Sequence, residues 1–297
     1  MNQLPLQKRV QIITLLVEGN SIRSITRILD ISKNTVTKYL VQLGRACEKF
    51  HDENVRNLNS KKIQADEIWS FVGCKDKNAT PEKLQQGQGD AWTWTAIDAD
   101  SKLIVSWAVG SRTAEVANEF MLDVASRLKT RVQLTTDGLH AYLEATTNAF
   151  GSQIDFAQLV KIYGTSPGAN SKTEQKYSPA KIKSIEKKVI CGEPDEFHIS
   201  TSYVERSNLT MRMHMRRFTR LTNAFSKKLE NHCHAIALHF VYYNFVKIHK
   251  SLRVAPAMEA GLIKRVMTIE DIANLVPDPI AKKRGNYKKR DLSNPNQ

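Results

Sequence analysis

An acid that heads a row of arginines is the first chemistry legible in this 297-residue sequence. Between Ser202 and Leu221, helical spacing of roughly 100° per residue sorts the side chains onto two faces. Val204, Met211, Met215 and Phe218 make an apolar stripe of the kind a helix turns toward a core. Glu205, Leu209, Arg212, Arg216 and Arg220 make another. A lone acid in a first turn ordinarily does no more than complement the helix dipole. Standing above three guanidinium groups, it points to a metal ligand beside a track for phosphates. Two further acids complete a set: Asp66 inside the apolar run 62–73, and Asp137, which with Gly138 ends the run 132–138. Three carboxylates brought together are what two Mg²⁺ ions need from a protein, with positions left open for water and phosphate. Each acid alone is an ordinary strand-end or turn residue, so the signal lies in the set.

The elements around these acids say whether they can meet. Residues 62–73, 91–98 and 103–110 read as strands, the last two joined by the turn Ala99-Asp100-Ser101-Lys102. The segment 113–128 is helical, with Val116, Phe120, Val124 and Leu128 on one face; 132–138 is a short strand, 140–150 a helix and 156–163 strand-like. Residues 81–90 read as a loop. Three antiparallel strands, a helix, a fourth strand and further helix is the order of an RNase H-like α/β domain, here expected as a mixed five-stranded sheet. In that fold the first and fourth strands are neighbours, so Asp66 and Asp137 approach each other, and Glu205 can reach them from its helix. Strand alternation sends Glu67 to the face opposite Asp66, so only one of the two is expected in the site. Asp98 and Asp100 suit the turn, and His140 a structural place at a helix start.

The first fifty residues differ in character. Leu6, Val10, Ile13, Leu16 and Val17 have helical spacing that stops at Gly19-Asn20; Ser21 and Ser32 are N-caps for two more helices, the second carrying Val36, Tyr39, Leu40 and Leu43. Three such helices resemble a helix-turn-helix domain, whose third helix enters the major groove by its first turns. Lys33, Asn34, Thr35 and Lys38 would then face DNA. The plainer reading is a three-helix bundle used for dimer contacts.

Composition sets the frame. The net charge of +14 and pI near 9.6 favour nucleic acid as partner, because the basic clusters recur along the chain. Four scattered cysteines without a C-x-x-C pair argue against a zinc ribbon or disulfide framework. No apolar run is long enough for a bilayer, and no signal pattern opens the chain, so an intracellular protein is expected. The organisation read from these features is 1–50, an all-α DNA-binding domain; 51–61, a linker; 62–262, the catalytic domain, with a lysine-rich insertion at about 165–197 in which strand pieces near 182–190 are allowed; and 263–297, an extension ending in the basic tail 282–290.

Ala65-Asp66-Glu67-Ile68-Trp69-Ser70-Phe71-Val72-Gly73 resembles the first-acid motif of the insertion sequence 1 family of bacterial transposases. Thr135-Thr136-Asp137-Gly138 resembles its second, and Tyr203-Val204-Glu205-Arg206-Ser207-Asn208-Leu209, with the basic segment behind it, its third. A closing match runs from His239 to Leu252 and the following Pro256-Ala257-Met258. The resemblance implies a DDE transposase that binds terminal inverted repeats, hydrolyses DNA ends and joins the freed 3′-hydroxyl to target DNA. It carries over Asp66, Asp137 and Glu205 as metal ligands for Mg²⁺, with Mn²⁺ able to substitute. Arg206, Arg212, Arg216, Arg217, Arg220, Lys227 and Lys228 become DNA contacts, and pairing two ends implies at least a homodimer on the bacterial nucleoid, in the cytoplasm. Unlike some relatives, this chain has no cysteine zinc finger and is one continuous reading frame. A non-catalytic, domesticated DNA-binding regulator is the alternative, and an RNase H-like nuclease that cuts without joining a third. In the expected closing helix, capped by Ser226, His232 and His239 are spaced roughly 10 Å apart along the axis, too far to share an ion.

Overall fold

The computed structural model describes residues 4–164, 182–219 and 222–277. Arg220 and the basic tail 282–290 lie outside the described residues, as does the insertion as far as residue 181.

Three helices open the chain: α1 (Leu6–Val17), α2 (Ile22–Leu29) and α3 (Lys33–Asn54). Both expected caps are made, Ser21 accepting from the Ser24 amide at 3.0 Å and Ser32 from the Thr35 amide at 3.1 Å. Helix α3 runs past the expected boundary near residue 50, and the stretch expected as a linker buries Val55 and Leu58. These helices share one hydrophobic core with the sheet that follows.

That sheet has six strands in the order β3-β2-β1-β4-β5-β6: β1 (Lys62–Val72), β2 (Gly89–Asp98), β3 (Ile104–Gly110), β4 (Val132–Thr136), β5 (Ile154–Tyr163) and β6 (Ile182–Cys191). β1, β2 and β3 are successively antiparallel, β4 and β5 run parallel to β1, and β6 is antiparallel to β5. The first five strands have the RNase H-like order. The sixth corrects the five-stranded expectation: the lysine-bearing piece 182–191 forms an edge strand along β5, a position where exposed charge is tolerated. The short α4 (Pro81–Gln85) occupies the expected loop, α5 (Ala114–Arg127) crosses over to β4, and α6 (Ala141–Phe150) connects β4 to β5. The β2–β3 turn is held as expected, with Asp98 Oδ1 accepting from the amides of Asp100 and Ser101 at 2.8 and 3.3 Å.

Residue parity on β1 divides the core. Ile63 and Ala65 pack into the large cluster with α5 and α6, while Ile68 faces a second cluster built from α7 (Ser202–His214) and α8 (Leu229–Phe245). The predicted stripe Val204, Met211, Met215 and Phe218 is buried there against Ile236, Phe240 and Tyr243. Each such side chain contributes roughly 1.5–3 kcal/mol when removed from water. The opposite side of α8, through Ala237, Val241 and Phe245, enters the large cluster with α3. Gly44 makes that crossing possible, because a Cβ there would lie 2.2 Å from the Cβ of His234. Ser226 is not the cap of α8, which starts at Leu229 without a side-chain cap; its hydroxyl instead sits 2.8 Å from His232 Nδ1. Two short helices, α9 (Pro256–Glu259) and α10 (Ile269–Asn274), close the described chain, α10 packing on α1. Among the described residues no helix is long and apolar enough to cross a membrane.

Candidate active site

The strand register brings two of the three predicted acids together. Ala65 on β1 is the parallel partner of Thr136, the last residue of β4. Asp66 and Asp137 come one residue later on neighbouring chains. β1 continues for seven residues beyond β4's end, unpaired by β4 along that edge.

Carboxylate oxygens of Asp66, Glu67 and Asp137 lie within 4.8 Å of one another. This corrects the expectation that alternation would admit only one of the two adjacent acids. Alternation itself holds: Asp66 Oδ2 accepts from Asn208 Nδ2 on α7 at 2.8 Å, whereas Glu67 Oε2 accepts from the Tyr142 hydroxyl on α6 at 3.1 Å. Because β4 stops short, Asp137 stands at the sheet's end, where carboxylates from both faces of β1 reach it. Glu67 is also held by Arg112, whose Nε donates to its Oε1 at 2.6 Å and whose Nη2 stands 3.7 Å from Asp137 Oδ2.

Crowding these acids has an electrostatic cost. Burial, and then the Asp137 carboxylate, push the Asp66 carboxyl up to about 6. The same two causes raise Glu67 to about 7 against the opposing pull of Arg112. Hard, mutually repelling oxygens are the donor set that suits a divalent cation. Among the described residues the buried Asn208 Oδ1 beside them has no hydrogen-bond partner, so the residues present fit such an ion.

Glu205 approaches from above, in the first turn of α7. Gln64, two residues before Asp66 on the same face of β1, accepts from the amides of Tyr203 and Val204 at 2.8 and 3.2 Å and fixes the start of that helix. Glu205 lies near enough to raise Asp66 further, yet it is not part of the 4.8 Å group. Its Oε1 is engaged by Lys161 Nζ on β5 and accepts from Thr201 Oγ1 at 2.5 Å.

The predicted arginine row is not one line. Helix α7 ends at His214; Met215 is extended (φ −113°, ψ 104°), and residues 216–218 form a 3₁₀ turn. That turn seats Phe218 5.2 Å from the His232 ring and lets Arg217 Nη1 donate to Ser226 Oγ at 2.9 Å. Arg217 is therefore half-buried and structural in its contacts, and burial lowers its guanidinium to about 10. Arg206, Arg216, Lys227 and Lys228 are exposed, while Arg212, half-buried, reaches the Phe218 carbonyl at 3.5 Å. Lys33, Asn34 and Lys38 are exposed on the first turns of α3, and Thr35 is half-exposed beside Ser32. His232 and His239 are buried in packing positions.

Sequence reasoning passed over Gln64, Arg112, Tyr142, Lys161 and Asn208. Only Asn208 carried a local signal, three residues after Glu205 and so on the same helical face. The others reach the site from elements distant in sequence.

No protein-family model matches the sequence, nor does any curated protein. Among solved structures, the chain is similar to a piggyBac transposase synaptic complex with hairpin DNA (TM-score 0.40, 13% identity, covering 91% of this chain and 69% of that one). It is also similar to a Mos1 transposase paired-end complex with the left transposon end (0.22, 12%, 52% and 60%) and to a Mos1 strand transfer complex (0.23, 11%, 81% and 76%). Superpositions this loose leave the fold to be read from the strands themselves, and their order and direction are RNase H-like.

Proposed function

We propose that the chain is a DDE transposase of the insertion sequence 1 type, which binds the terminal inverted repeats of a bacterial element, cuts its ends and joins them to target DNA. The observation that carries this reading is the meeting of Asp66, midway along β1, with Asp137, just past the end of the parallel neighbour β4, with Glu205 on the helix above. Asp66, Asp137 and Glu205 are the proposed ligands of Mg²⁺ or Mn²⁺; Glu67, tied to Arg112 and Tyr142, is a supporting carboxylate. When bound, the divalent ions would acidify the attacking water or hydroxyl and stabilise the leaving oxygen. The chain's own part is to hold three carboxylates in place and to keep Lys161 and Arg112 beside them as counter-charges. A phosphorus–oxygen bond to the attacking oxygen forms as the bond to the leaving oxygen breaks; the nucleophile gives up its proton to solvent, and the leaving oxygen takes one up from it. The proposed layout is residues 1–50 for end recognition and 62–262 for chemistry. Lys33, Asn34, Thr35 and Lys38 would touch the repeats, and Arg206, Arg212, Arg216, Lys227 and Lys228 the phosphates, in a dimer assembled on paired ends in the cytoplasm.

One observation favours a second reading, a DNA-binding regulator of transposase origin without catalysis: Lys161 already neutralises Glu205. A single assay separates the two. Duplexes carrying the repeats that flank the gene are incubated with the full chain and Mg²⁺. The proposed enzyme releases a 3′-hydroxyl end, and Asp66→Asn, Asp137→Asn and Glu205→Gln each reduce cleavage to background while end binding survives. Undiminished cleavage by any of the three would refute the assignment, and binding without cleavage by the parent chain would leave the regulator.

A further inference from the structure

Four aromatic rings form a half-buried strip beside the acids, and none of them is a member of the three described hydrophobic clusters. Trp69 and Phe71 share with Glu67 one face of β1, and Trp92 is the antiparallel partner of Trp69 on β2. Their rings escape the core because this part of β1 projects past β4. Phe225 completes the strip from the segment before α8, which pairs with β1 through a Val72–Ser226 bridge. Ring centroids are 5.7 Å apart for Trp69 and Phe71, and 4.6 Å for Phe71 and Phe225.

Cations line the same surface. Lys75 Nζ stands 5.2 Å from the Trp69 centroid, and Lys227 Nζ 3.5 Å from that of Phe225. Arg112 lies 4.8 Å over Trp92 while it holds Glu67, so the strip is continuous with the carboxylates. Aromatic faces interleaved with ammonium groups suit a chain that offers flat bases and regularly spaced phosphates. A duplex hides its base faces in its own stack; an unpaired strand exposes them. The span from Glu67 to Phe71 is roughly 14 Å at about 3.4 Å per residue, room for more than one base.

We propose that Trp92, Trp69, Phe71 and Phe225, with Lys75 and Lys227, form a stacking site for the bases of an unpaired DNA strand leading to or from the acids. The proposal rests on the transposase reading for its choice of DNA, but its test needs no chemistry. The full chain is held in EDTA, and binding of a fluorescein-labelled twelve-nucleotide oligo(dT) is compared with that of a duplex of equal length. Trp69→Leu and Phe225→Leu are each expected to weaken oligo(dT) binding about tenfold, leaving duplex affinity within about twofold. Trp69→Phe, which keeps a ring, restores most of the loss, and Lys75→Gln, an exposed change, weakens oligo(dT) and flattens its salt dependence. Oligo(dT) binding that is absent in the parent, unchanged in all three ring and lysine losses, or lost in step with duplex binding would overturn the stacking site. None of these results touches cleavage in Mg²⁺, which reports separately on the transposase reading.

Discussion

Asn208 donates to the Asp66 carboxylate at 2.8 Å, joining α7 to β1 at the acid cluster. The bond sets the rotamer of one acid from the helix that carries another, since Glu205 lies three residues earlier on the same face. Losing such a supporting contact ordinarily costs 10–100-fold in metal affinity. Asn208→Ala is therefore expected to raise the Mg²⁺ concentration for half-maximal cleavage by about that factor, with the thermal midpoint little changed. A Mg²⁺ titration of end cleavage checks it, and an unshifted titration would remove Asn208 from the site.

The raised Asp66 carboxyl has a consequence for stability. A carboxyl whose folded-state value lies above its unfolded one contributes stability at low pH, and loses it as pH rises through the folded value. Asp66 rises from 3.8 to about 6, so at pH 8 without divalent cation its charge works against the fold by at most about 3 kcal/mol. Asp66→Asn should raise the melting temperature at pH 8 in EDTA, and the gain should shrink when Mg²⁺ is added to both proteins. Calorimetry in the two buffers decides the matter; a lower midpoint for the variant in EDTA contradicts it.

Three buried histidines act in the opposite pH range. Burial lowers His51, His232 and His239 from 6.5 to about 3. The unfolded chain takes up protons below 6.5 that the folded chain refuses, so stability falls as pH drops from about 6.5 toward 3. Each group adds a slope of up to about 1.4 kcal/mol per pH unit in that window. Urea midpoints between pH 7.5 and 5 should show the decline, and His239→Gln should flatten it by about one proton.

Gly44 at the α3–α8 crossing allows no side chain. With a Cβ 2.2 Å from that of His234, Gly44→Ala must force the helices apart and cost about 1–3 kcal/mol. The midpoint of thermal unfolding measures this. A neutral substitution would mean that the two helices can separate freely.

Arg216 and Arg217 are neighbours with different expected roles. Exposed Arg216, changed to Ala, should lower the slope of log affinity for duplex DNA against log salt by about one. Arg217→Ala should leave that slope alone and lower stability, because its guanidinium is bonded to Ser226 inside the fold. A salt-dependent binding series on both variants, beside their melting curves, distinguishes the two.

Much of this arrangement was legible in the residues. The run of antiparallel strands, crossover helix and fourth strand dictated that Asp66 and Asp137 be neighbours, and Ser21 and Ser32 announced their helices. Glu67 departs from the expectation because alternation, which holds along β1, separates two carboxylates only across a continuous sheet, and beside Asp137 the sheet has ended. The break at Met215 was hidden because 211, 215 and 218 keep helical spacing even though the backbone leaves the helix. Val55 and Leu58 sit among polar residues, and only contact with elements far along the chain buries them. Arg112 and Lys161 are single cations in a loop and near the end of a strand, where nothing local distinguishes a counter-ion from a solvated charge.

Helix α3 is one uninterrupted rod of roughly 33 Å at 1.5 Å per residue. It is gripped midway by α8 at Gly44, and near its end His51 Nε2 lies 3.1 Å from the Ile104 carbonyl of β3. Such a rod works as a calliper: its first turns, where Lys33 and Lys38 are exposed, stand at a set distance from the carboxylates. On the function proposed above, the cut would then fall a constant number of base pairs from the sequence that is read, and lengthening the rod by whole turns would move the cut.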